Sequence, residues 1–170
     1  RIRLDGKPVG SGMIQGVQSS TLYDLYNKHK YTGDTILVYK TEILKKHRFP
    51  KIEGEKFIPE TYLYNQLDAE GELATIKDGV YVCEYLNDGY TNNSTKLISN
   101  NPKGYILAAE QELYIAKSLR GKLRAYAKVV LGNWLANNKK FIKKYENKFL
   151  IMLSMPMAYA IYLKKYKKEQ

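Results

Sequence analysis

The chain has 170 residues, 44% apolar and 26% charged, which is enough to bury a real core and excludes a disordered tail. Its single cysteine, Cys83, excludes an internal disulfide and a multi-cysteine zinc site, and neither His29 nor His47 has cysteines at zinc-ligand spacing. The formal charge of +11 is uneven: residues 1–100 carry 13 Lys/Arg against 13 Asp/Glu, and residues 101–170 carry 15 against 4, which is the whole surplus.

Two regions are therefore expected, 1–100 and a basic 101–170, the second meeting an anionic surface, either nucleic acid or acidic lipid. The cysteine usage fits a reducing, cytoplasmic setting. No basic-then-apolar leader opens the chain, and RIRLDGKPVG reads as the interior of something longer.

To about Gly16 the sequence is rich in turn formers and reads as loop or edge structure. SSTLYDLYNKHK offers Ser19 or Ser20 as an N-cap ahead of Leu22, Leu25 and Tyr26, spaced for a short helix. After Thr32, Gly33 and Asp34, the run TILVYK reads as a buried strand. TEILKKH gives one or two helical turns, ended before Pro50. Pro59 suits the first turn of the next helix. ELATI and VYVCEYL read as two short strands around Lys77, Asp78 and Gly79, with Cys83 a small buried residue in the second.

From Pro102 the pattern turns helical. Leu123, Tyr126, Ala127, Val130, Leu131 and Trp134 make one amphipathic face, which Asn137 and Asn138 end. A last helix is expected from about Lys139, bent at Pro156. Its apolar run, residues 149–163, spans 15 residues, short of the roughly 20 that cross a bilayer.

The segment EGEKFIPETYLYNQL, residues 53–67, holds the candidate chemistry. Glu55 and Glu60 flank Phe57, Ile58 and Pro59. On residue type alone Glu60 is either an acid stabilising a helix start or a general base placed to take a proton from a hydroxyl. Spacing does not choose between them.

FPKIEGEKFIPETYLYNQL, preceded by GDTILVYKTEILKKHRFP and followed by VYVCEYLNDGYTNN, resembles the C-terminal half of an inverting, family-two glycosyltransferase of the GT-A fold, bacterial surface-polysaccharide type. The similarity covers roughly residues 30–105. It implies an α/β, Rossmann-like domain whose acceptor-side half is 1–100, followed by a helical basic extension over 101–170. It implies transfer of a sugar from a nucleotide-diphosphate sugar to a sugar or lipid-linked acceptor.

The family's base lies in a Glu-Asp pair at the start of this helix. Here Glu60 precedes Thr61 and Glu55 precedes Lys56, so the pair is incomplete. The resemblance puts Glu60 first as the base and Glu55 second. It places Gly33, Asp34 and Lys56 with the substrate, and Asp88, Tyr90 and Thr91 on a loop that nears the diphosphate. Relatives often carry a histidine on that loop, and this chain does not. The family's divalent metal, Mg or Mn, sits on an Asp-x-Asp motif that these 170 residues lack. The resemblance therefore implies a donor half upstream of Arg1, without which this portion is inactive.

Lysines on both sides of 149–163 leave two readings equally open: peripheral contact with the inner face of the cell membrane through 139–170, or a plain core helix with a solvated basic face. Two other readings stay open. One is a noncatalytic basic module for nucleic acid or membrane, although the aromatics fall at core spacings and argue against nucleic acid. The other is a scaffold that has lost its base.

Overall fold

The computed structural model describes residues 2–12, 14–84, 89–90 and 92–167. The chain divides into two compact units, one of Arg1–Arg48 with Tyr64–Asn92, the other of Phe49–Leu63 with Asn93–Gln170. The segment carrying Glu55 and Glu60 thus belongs with the basic C-terminal helices, across the boundary near residue 100 that charge alone suggests.

In the first unit, β1 (Ser19–Ser20) pairs antiparallel with β2 (Leu73–Ala74), in the register Ser19 to Ala74 and Ser20 to Leu73. That pairing holds both serines extended, so the N-cap of α1 (Leu22–Asn27) falls to Thr21, whose hydroxyl accepts from Asp24 N–H at 3.1 Å. Asp68 completes the cap: its carboxylate accepts from Leu22 N–H at 2.8 Å and Tyr23 N–H at 2.7 Å.

The other strand expectations change. Among the described residues ELATI and VYVCEYL do not pair as a hairpin; the first meets β1, and Val82 bridges to Ile2 in parallel. Cys83 is half-buried and free, and its N–H donates to Ile2 C=O at 3.0 Å. TILVYK joins no strand ladder, and Val38 is 78% exposed. Residues 35–38 instead wall a cavity of about 380 Å³ with Leu22, Leu25, Leu73 and Ile76. The predicted helix at TEILKKH is present as α2 (Thr41–Lys46). It is followed by α3 (Thr61–Leu67), where the chain crosses from one unit to the other.

The second unit is helical throughout its ordered elements: α4 (Ser94–Asn100), α5 (Pro102–Ile115), α6 (Leu119–Leu135), a 3₁₀ turn over Phe141–Lys144 and α7 (Lys148–Lys165). Helix α6 packs against both α5 and α7. It can do so because Ala125, Ala127, Val129, Val130 and Leu131 are fully buried and Gly132 lets α5 close in. A Cβ at Gly132 would stand 2.6 Å from Ile106 Cγ1. Val130 and Leu131 share a core with Phe141, Ile151, Ala158 and Tyr166.

The end of α6 follows the sequence expectation. Asn137 adopts φ +53°, and Asn138 N–H returns to Asn133 C=O at 2.9 Å, satisfying an end carbonyl. The start of α7 does not follow it: Asn147 caps that helix by accepting from Leu150 N–H at 3.0 Å, eight residues beyond Lys139. Helix α7 continues through Pro156 as one element.

Candidate functional site

The first four N–H groups of a helix have no partner inside it and need acceptors from elsewhere. In α5, Pro102 at the first position removes one such donor. Glu55 supplies acceptors for the next two: one carboxylate oxygen takes Lys103 N–H at 2.8 Å and the other takes Gly104 N–H at 2.7 Å. The contact is reciprocal. Asn101, which precedes the helix and is buried, accepts through Oδ1 from Lys56 N–H at 2.7 Å and Phe57 N–H at 3.1 Å. Its amide donates to Leu97 C=O at 2.7 Å, fixing the side chain against α4.

Residues 55–57 are thereby strapped to the N-terminus of α5. Gly104 makes the approach possible, because a Cβ there would meet Phe57 C=O at 2.5 Å. Three residues past Phe57, Glu60 stands exposed at the threshold of α3, where its carbonyl accepts from Leu63 N–H at 3.0 Å. Tyr62, two residues on, lies with its ring centroid 6.0 Å from that of Phe49. The concavity next to the strap, about 490 Å³, is lined by residues 51–56 and does not include Glu60.

The sequence thus proposed two carboxylates for one role, and the structure separates them. Both oxygens of Glu55 are engaged in capping, while Glu60 is exposed on a segment that the cap holds in place. Lys56 is exposed, and only its backbone is engaged in the strap.

Gly33 and Asp34 fall in the other unit. Gly33 has φ +119° and bridges to Gly10, with no room for a Cβ, which would lie 1.9 Å from Val9 C=O. Tyr26 donates to Gly33 C=O at 2.9 Å and Tyr31 to Asp34 C=O at 3.1 Å. These contacts account for the turn as a packed element of the first unit. Tyr90 is 74% exposed, and Asp88 and Thr91 lie outside the described residues.

Two polar groupings had no signal in the sequence. His47 Nε2 lies 2.8 Å from Glu70 Oε1, Lys46 Nζ is 3.1 Å from Glu70 Oε2, and His47 Nδ1 faces Gln66 Oε1 at 3.4 Å. The bonds from His47 and then Lys46 hold the Glu70 carboxyl below its ordinary range. Nearby in the same unit, the Tyr39 hydroxyl is buried with no hydrogen-bond partner, its ring stacked on Tyr64 at 6.4 Å. Burial, then the neighbouring Asp68 and Tyr64, push Tyr39 up to about 12. Burial also raises Asp68, opposed by the two backbone N–H groups it caps.

Among the described residues, no group of three His, Cys, Asp or Glu side chains converges to hold a metal. The Asp-x-Asp pair on which the resemblance places a divalent metal is not among these 170 residues. No helix among the described residues is long and apolar enough to cross a membrane. No protein-family model matches the chain, and no curated protein or solved structure is detectably similar to it.

Proposed function

We propose that this chain is the acceptor-side portion of an inverting glycosyltransferase of the GT-A type, and that Glu60 is its general base. The observation that carries the reading is the division of labour in the GEKFIPE segment: Glu55 spends both oxygens on the α5 cap, and Glu60 stays exposed five residues on. A base works best on a rigid support, and the strap between residues 55–57 and α5 supplies one.

In the reaction, the acceptor hydroxyl oxygen bonds to the anomeric carbon as the bond to the nucleotide diphosphate breaks. The hydroxyl proton passes to Glu60, and the leaving diphosphate takes the bonding electron pair. One displacement inverts the centre, so one base suffices and no covalent sugar-enzyme species forms. Surface-polysaccharide synthesis at the inner face of the cell membrane is the setting that the motif's resemblance supports.

The test is Glu60→Gln in the protein as encoded in full, with release of nucleoside diphosphate measured over a panel of nucleotide sugars. Loss of at least about a hundredfold in turnover, with donor affinity kept, is the expected result for a general base. Near-normal turnover refutes the assignment.

A second reading, a noncatalytic basic binding module, rests on the placement of the entire +11 surplus in residues 101–170. It predicts no nucleotide-sugar turnover by the whole protein under any donor.

A further inference from the structure

Helix α7 is apolar on every side, a composition that belongs to a helix covered all round. One side is covered: Ile151, Ser154 and Ala158 are buried against the core that α6 provides. The opposite side is not. Phe149, Met152, Leu153, Pro156, Tyr159 and Leu163 recur at three- and four-residue steps, which puts them in one stripe, and all are exposed. Phe149 is 73% and Met152 62% accessible. Contiguous exposed apolar surface of this kind marks an interaction site.

The charges around the stripe choose the partner. Lys148 stands exposed at one end of the helix, and Lys164, Lys165 and Lys167 at the other. Lys139, Lys140 and Lys143 are exposed on the approach to α7. A second copy docking stripe to stripe would bring these lysines against themselves, since a two-fold interface apposes the same patch. A nucleic acid would answer the lysines and leave Met152, Leu153 and Leu163 without a favourable contact. An anionic bilayer surface answers both: the apolar side chains enter the acyl boundary and the ammonium groups meet phosphate headgroups.

We infer that the outer face of α7 docks on an anionic lipid bilayer, with the helix lying in the interface rather than crossing it. The 15-residue apolar run and the absence of a membrane-crossing helix among the described residues agree with that geometry. The inference stands on α7 and the lysines that flank it, and does not require glycosyl transfer.

The experiment is cosedimentation of the full-length protein with phosphatidylcholine vesicles, with and without about one quarter phosphatidylglycerol. Binding is expected only with the anionic lipid, and should weaken at least about tenfold between ~0.1 M and ~0.5 M salt as headgroup attraction is screened. The double variant Met152→Glu/Leu153→Glu should weaken it by at least about tenfold, and Lys164→Gln/Lys167→Gln by several-fold. Both changes fall on exposed positions, so an unchanged melting temperature and circular dichroism spectrum will show that the fold is intact. Three results overturn the inference: no binding to anionic vesicles, equal binding by wild type and the double glutamate variant, or a protein dimer that the same double variant dissociates. Tighter binding to an oligonucleotide than to the vesicles also overturns it.

Discussion

Removing the Glu55 carboxylate should loosen the first turn of α5 and with it the strap that supports Glu60, so any fall in turnover should accompany a fall in stability. Each carboxylate oxygen accepts one backbone N–H, at 2.8 and 2.7 Å. Hydrogen bonds to a charged group contribute about 1.5–3 kcal/mol each when well shielded, and capping residues as a class about 0.5–2 kcal/mol. Glu55 is only partly buried, so solvent takes a share, and Glu55→Ala should cost roughly 2–3 kcal/mol. Glu55→Gln keeps one acceptor oxygen and should cost about half as much. In a chain of this length that corresponds to a fall of about 4–12 °C in Tm for the alanine variant. The assay is a thermal melt followed at a helical signal, with hydrogen exchange at the Lys103 and Gly104 amides as the local readout. Those two amides should lose protection ahead of the rest of α5. An unchanged Tm with unchanged protection would refute the capping argument. Loss of turnover without any loss of stability would move the base from Glu60 to Glu55.

Asn101→Ala removes three hydrogen bonds at once and takes away the acceptor of the Lys56 and Phe57 N–H groups. The expected loss is about 2–4 kcal/mol, read from urea denaturation, and it should fall short of additivity with Glu55→Ala because both act on one strap. Tyr39→Phe deletes a buried hydroxyl that has no partner, and should leave stability at neutral pH unchanged or raise it by up to about 1 kcal/mol. The same residue predicts a pH response. Its folded value of about 12 lies above the ordinary 10, so its contribution is intact below pH 10 and is lost as pH rises towards 12. Burial also raises Tyr105 and Tyr145, so Tyr39→Phe should flatten the alkaline decline, measured by denaturation at stepped pH, without abolishing it.

Helix α6 was legible because its signals are local, whereas α4 carried no recognised signal and α7 begins nine residues after the expected Lys139. Period and caps in α6 fall within a turn or two of each other, from Ser118, which accepts from Gly121 N–H, to Asn137 in its left-handed conformation. The strands were not legible for the opposite reason. TILVYK has strand composition, yet a strand needs a neighbour, and among the described residues none pairs with it. ELATI found its partner in Ser19–Ser20, more than 50 residues earlier, a pairing that no turn signal between them announces.

The candidate site divides the same way. Glu60 at a helix threshold could be read from Pro59 and the pattern after it. The capture of Glu55 by α5 spans 48 and 49 residues. Its only trace in the sequence is Asn101-Pro102, a helix start that lacks an acidic residue in its own first turn.

The strap also sets an order of events on the ribosome. Synthesis runs from the N-terminus, so Glu55, Lys56 and Phe57 emerge with no acceptor or donor in reach, and must wait for Asn101 and Gly104, 45 and 49 residues later. Closing a loop of that span carries an entropy penalty that four hydrogen bonds share. The GEKFIPE stretch is therefore unanchored in the nascent chain until the first turn of α5 has left the exit tunnel. A pause in translation before that turn emerges would leave it open to proteases and chaperones.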